Sequence, residues 1–267
     1  MVEVQPVSQQ QEPRGTFLIA VRPTLLFVTA FALNVTPHEA VHAAVGYLLG
    51  FNSTLFQMWV NPNAATASSR QVAAIAASGP IFSFTLGSIS WLLYRWRYRT
   101  RSVGLMFLML AVVGIYSFLG PLAGAAFGGD FSIVLKAIAA PKMVQNAASS
   151  TGLILLPLFM FFMGRELSYW SPRSFGRTAA VVCSTCAPWI IGTLLILLVY
   201  WPLPTFLVGP TVLGSMFWFF AVLGASFGDI NARSKHLAPA VTRADFVITV
   251  LALIMVRALV HGIHLAH

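Results

Sequence analysis

Residues His38-Glu39-Ala40-Val41-His42 set two imidazoles four positions apart, with a glutamate beside the first. On a helix, positions i and i+4 share one face about 6 Å apart, so both rings reach a single metal ion. Glu39 is turned by about 100° from His38, which places it next to such an ion rather than on it. That offset suits a general base, which takes a proton from water acidified by zinc and hands it to a leaving amine. With six His and four Glu in 267 residues, the HExxH pattern is expected by chance only about 0.002 times. The plainer reading, two packed core histidines and a structural acid, leaves three ionisable groups on adjacent turns of an apolar segment with nothing to compensate them.

A zinc site of this kind wants a third protein ligand and an open position for water. The remaining acids can be enumerated. Glu3 and Glu12 belong to a polar N-terminal stretch, and Glu166 and Asp245 sit beside arginines at expected helix ends. That leaves Asp130, in GPLAGAAFGGDFSIV, and Asp229, in ASFGDINARSK. The apolar segments that carry His42 and precede Asp130 run in the same direction, which brings both residues to one side of a membrane. Asp229 falls on the other side, so topology favours Asp130.

The elements that must position these groups are membrane helices. The chain is 58% hydrophobic and 9% charged, with a mean hydropathy of +0.81, far from a soluble composition. Segments 17–50, 71–94, 103–123, 150–164, 179–201, 205–226 and 245–263 predict an all-α polytopic membrane protein. The fourth is short and the first long, so the expected number of transmembrane helices is about six to seven. Residues 1–16 read as a disordered tail without the positive n-region of a signal peptide. Cys183 and Cys186 read as small apolar helix residues, since a lone CxxC lacks a second half-site.

The net charge of +9 does not point to nucleic acid, because the basic residues sort by loop. Arg14, Arg22, the Arg95–Arg101 loop, Arg165, Arg173, Arg177, Arg233, Lys235 and Arg243 share one face, which makes twelve of the 16 Lys and Arg. The positive-inside rule then predicts an integral, multi-pass protein whose N-terminus and basic loops are cytoplasmic.

HEAVH on an apolar helix, followed by Gly79-Pro80 in AASGPIFSFTLG and by Asp130 in GGDF, resembles the site-2 protease family of intramembrane zinc metalloproteases. The resemblance covers residues 17–140 and implies a three-helix metalloprotease core, with 141–267 as additional transmembrane helices. It implies Zn2+ bound by His38, His42 and Asp130, and Glu39 as catalytic base. It also implies cleavage of transmembrane or membrane-adjacent protein substrates within the lipid bilayer. Residues 51–70, too polar and broken for a span, resemble the loop or hairpin by which such proteases hold an extended substrate. Three positions depart from the family pattern. Ser83 stands where an Asn is usual, Pro121 is preceded by no Asn, and Phe131 replaces the Gly after the aspartate. The arginine count also puts the loop after the HEAVH helix outside, opposite to the family's usual side. The competing function is a protease-like membrane protein without activity that binds transmembrane partners, or a metal transporter. A transport path calls for acids on several helices, and the segments after Asp130 are almost uniformly apolar.

Overall fold

The computed structural model describes residues 13–171, 176–228 and 241–266. Helix α1, Pro13–Leu48, is followed by two short strands, β1 (Ser53–Leu55) and β2 (Val60–Pro62). Next come α2 (Ser69–Leu93), which ends in a π-helical turn at Tyr94–Tyr98, then α3 (Gly104–Ala123) and the short α4 (Asp130–Ala137). Helix α5 covers Lys142–Ser168, and α6 covers Arg177–Val199 with π-helical stretches inside it. The helices α7 (Thr205–Ser215) and α8 (Trp218–Ser226) form one broken rod, and α9 (Arg243–Ala258) precedes β3 (Ile263–Leu265).

Among the described residues six helices are long and apolar enough to cross a membrane: α1, α2 with its π turn, α3, α5, α6, and the α7–α8 rod. Large apolar side chains such as Ile154, Leu158, Leu194, Leu213 and Leu251 point outward, as lipid-facing surfaces do and soluble ones do not. The expected helix at 245–263 is shorter than the sequence suggests. Helix α9 has 16 residues, about 24 Å of rise against a hydrocarbon core of about 30 Å. It lies along α1, held by a Thr29–Thr249 hydroxyl pair at 2.7 Å and a buried Arg22–Asp245 ion pair at 2.8 Å.

Small residues set the tightest packing. A Cβ on Gly87 would come within 2.7 Å of the Ile115 backbone nitrogen, and one on Gly114 within 2.7 Å of the Ser83 carbonyl. The α2 and α3 backbones therefore touch, as membrane helices do where small side chains meet. Helix α3 is the centre of the core, with Leu108, Met109 and Val112 fully buried against Leu156 and Met160 of α5 and Leu26 of α1.

Residues 51–70 contain a hairpin. β1 pairs antiparallel with β2 from Ser53↔Pro62 to Leu55↔Val60. The C-terminal segment around His264 forms β3 and completes a sheet of order β2-β1-β3. There β3 pairs antiparallel with β1 from Ser53↔Leu265 to Leu55↔Ile263, and His264 Nδ1 lies 2.8 Å from Thr54 Oγ1.

Candidate metal centre

His38 and His42 project from successive turns of α1 with ring centroids 4.8 Å apart. Their Nε2 atoms are separated by 3.1 Å. Both rings are buried, and α2 holds their far sides. The Ser83 hydroxyl lies 2.9 Å from His38 Nδ1, and the Ile75 carbonyl 2.6 Å from His42 Nδ1. A carbonyl only accepts, so His42 Nδ1 donates and its Nε2 keeps a lone pair. Donation from His38 Nδ1 to Ser83 leaves His38 Nε2 in the same state. The Ser78 hydroxyl donates to that Ile75 carbonyl at 2.7 Å and stands 3.3 Å from His42 Nδ1.

Helix α2 comes this close because residue 79 is glycine. A Cβ there would collide with Nε2 of both histidines. Pro80 follows within the helix, and its missing N–H removes one rung of the α2 ladder.

Asp130 arrives from the opposite side. Gly129, at φ 84°, turns the chain into α4, and Asp130 is its first residue, where a helix N-terminus favours a carboxylate. Asp130 Oδ2 stands 3.4 Å from His38 Nε2 and 3.8 Å from His42 Nε2. His38, His42 and Asp130 thus form a group whose ligand atoms all lie within 4.8 Å of one another. Their separations bracket the edge of about 3.4 Å expected for a tetrahedron with bonds of about 2.1 Å. Two imidazole nitrogens and a carboxylate oxygen facing each other form a group that could hold a metal ion, with a donor set of the kind zinc accepts.

Glu39 stays outside the ligand group and lines an adjoining cavity of about 730 Å³, together with His38, Asp130 and the glycines at 124, 128 and 129. The far wall comes from the C-terminal half, with Thr193, Ile196, Thr211, Ser215 and Trp218. Those helices looked featureless because their contribution is a surface rather than a cluster. Asp229, the rival carboxylate, lies outside the described residues. Glu166 and Asp245 are engaged by arginines, the former with Arg95 and Arg99 and the latter with Arg22.

Ser83 is the residue whose role the sequence reading missed, though a signal was present. Ile75, Gly79, Ser83 and Gly87 recur every fourth position and so line one helix face, the face turned toward α1 and α3. Cys183 and Cys186 form no disulfide and lie outside the ligand group. Compared with models of protein families, with curated proteins and with solved structures, the chain matches none of them.

Proposed function

We propose that the chain is an intramembrane zinc metallopeptidase, a divergent relative of the site-2 proteases, that hydrolyses peptide bonds in transmembrane or membrane-adjacent protein segments. The observation that carries this reading is the convergence of two imidazole lone pairs and a carboxylate oxygen within 3.8 Å, beside a cavity that Glu39 lines. Zinc held by His38, His42 and Asp130 would supply Lewis-acid chemistry, polarising a carbonyl and acidifying water. Glu39 takes the proton of the attacking water as the new C–O bond forms and returns it to the amide nitrogen as the C–N bond breaks. The products are a carboxylic acid and an amine. Ser83 and the Ile75 carbonyl keep both Nε2 atoms turned toward the centre, so the ligands need no reorganisation when substrate arrives.

A peptide carbonyl inside a helix is shielded by its own hydrogen bond, so a substrate must unwind before it is cut. The sheet supports that requirement. The outer edge of β2 carries no strand among the described residues, and Met58, in the turn between β1 and β2, lines the cavity. An unwound segment added to that edge by backbone hydrogen bonds runs past the centre.

The test is metal content and cleavage together. Wild type purified in detergent is expected to hold about one zinc per chain and to cut a transmembrane peptide containing helix-breaking residues. Glu39→Gln keeps the zinc and loses cleavage. Undiminished zinc in His38→Ala overturns the metal centre. A zinc-loaded wild type that cuts none of a panel of such peptides overturns the peptidase and leaves a metal-dependent binder of transmembrane partners.

A further inference from the structure

At the other end of α2 and α5 lies a second cavity, of about 460 Å³, that the metal centre does not use. Arg95, Arg99 and Arg165 line it with Glu166, Trp91 and Tyr169. Arg95 and Arg99 are four residues apart across the π-helical turn Tyr94–Tyr98, which turns both guanidiniums to one side. Glu166 balances only part of this charge. It receives Arg95 Nη1 at 3.5 Å and Arg99 Nη2 at 3.3 Å, and it accepts the Tyr94 hydroxyl at 3.0 Å. Three guanidiniums against one carboxylate leave a net double positive charge in the cavity. The Nε–H of Arg99 is buried behind this wall and has no hydrogen-bond partner, so Glu166 does not use up the donors of the guanidinium.

The aromatic residues hold this arrangement open. Arg99 lies over the Tyr169 ring at 4.9 Å and Arg95 over the Trp91 ring at 5.6 Å, so stacking fixes each guanidinium plane at the wall of the hollow. Trp, Tyr and Arg at the ends of apolar helices mark the membrane–water boundary. An apolar track leads away from the cavity toward the bilayer centre. Phe162, which lines it, is followed up α5 by exposed Leu158 and Ile154, one turn apart on the same face.

We propose that this cavity binds the phosphate of an anionic phospholipid, with the headgroup among Arg95, Arg99 and Arg165 and an acyl chain along Phe162, Leu158 and Ile154. A phosphate offers the acceptor oxygens that forked guanidiniums match, and basic pockets between transmembrane helices at the membrane boundary suit anionic headgroups. A zwitterionic lipid brings its own cation into a hollow that already has two positive charges in excess, so selectivity for anionic headgroups follows from the same charge count. The site stands independently of the metal centre, which α2 and α5 leave toward the opposite face.

The full-length protein, purified in detergent and exposed to equal amounts of phosphatidylglycerol and phosphatidylcholine, is to be followed by native mass spectrometry. Wild type is expected to retain phosphatidylglycerol preferentially. The double variant Arg95→Gln/Arg165→Gln is expected to bind it about tenfold more weakly or worse, and Arg97→Gln, on the same turn but outside the cavity, to bind it like wild type. Equal retention of the two lipids by wild type overturns the proposal without reference to any variant. So does a loss in Arg97→Gln matching that of the double variant, which would mean diffuse surface attraction. Thermal stabilisation by inorganic phosphate equal to that by the lipid overturns the lipid assignment and makes this a site for a soluble phosphate. Zinc content is expected to stay unchanged in the double variant, which separates this result from failure of the peptidase reading.

Discussion

At the scale of single residues, the candidate metal centre depends on side chains outside the ligand group itself. Ser83 is fully buried and bonds His38 Nδ1 at 2.9 Å. Ligand-orienting partners of this kind typically change metal affinity by about 10- to 100-fold. Ser83→Ala is therefore expected to weaken zinc binding by about that factor, measured by competition with a chelator, while the protein keeps its helical circular dichroism. Unchanged zinc affinity in that variant would show that α1 orients His38 by itself. The pattern HEAVH was legible because helix geometry alone makes positions 38 and 42 neighbours. The role of Ser83 was not, because a departure from a family pattern does not say which atom the new side chain faces.

The element scale concerns how α9 is tied down. Arg22 of α1 donates to Asp245 at 2.8 Å and also to the Ser102 carbonyl and hydroxyl at 2.9 and 2.7 Å, joining α1, the loop before α3, and α9. Asp245 is also the third residue of the capping box of α9, whose N-cap is Thr242, and accepts from the Thr242 backbone N–H at 2.9 Å. Removing one partner of a buried pair leaves an uncompensated charge, so Asp245→Asn is expected to cost about 3 kcal/mol in stability near neutral pH, read as a lower Tm. Burial pushes the Asp245 carboxyl up, but Arg22 and the Thr242 cap pull it further down, to below its ordinary value. A lowered folded-state value means the contribution is complete above the unfolded-state value of about 3.9 and is lost as the pH falls through the folded one. The melting temperatures of wild type and Asp245→Asn should therefore stay apart from pH 7 down to about 4 and converge only in stronger acid. Convergence already at pH 6 would mean that another group controls this tie. The apolar run in α9 was legible as a helix, but not as one that flanks α1, because its length was overestimated by the residues that turn into β3.

At the scale of the whole molecule, the question is which way the centre faces. Helix α1 has 36 residues, about 54 Å of rise, so it outruns the hydrocarbon core. His42 lies six residues before its end at Leu48, about 9 Å along the axis, which puts the centre nearer the face carrying the β-sheet. The arginine distribution predicts that this face is outside. With Cys183 and Cys186 replaced, a membrane-impermeant thiol reagent on intact cells should label Thr66→Cys, in the exposed stretch after β2, and spare Thr100→Cys, in the exposed loop after the π-helical turn. The reverse pattern would turn the centre toward the cytoplasm. Three properties of this protein were determined by sequence alone: its membrane class, the pairing of His38 with His42 on one helix face, and the shared side of His42 and Asp130. Each is a local sum or a parity, fixed by composition, by the period of the helix or by the number of crossings. Tertiary structure alone decided which α2 atoms grip the imidazoles, how residues 193–218 wall the cavity, and that His264 pairs with Thr54 across 210 positions. Those contacts depend on the rotation and depth at which each helix settles, and packing sets these through all its neighbours at once, leaving no periodic trace in any one segment.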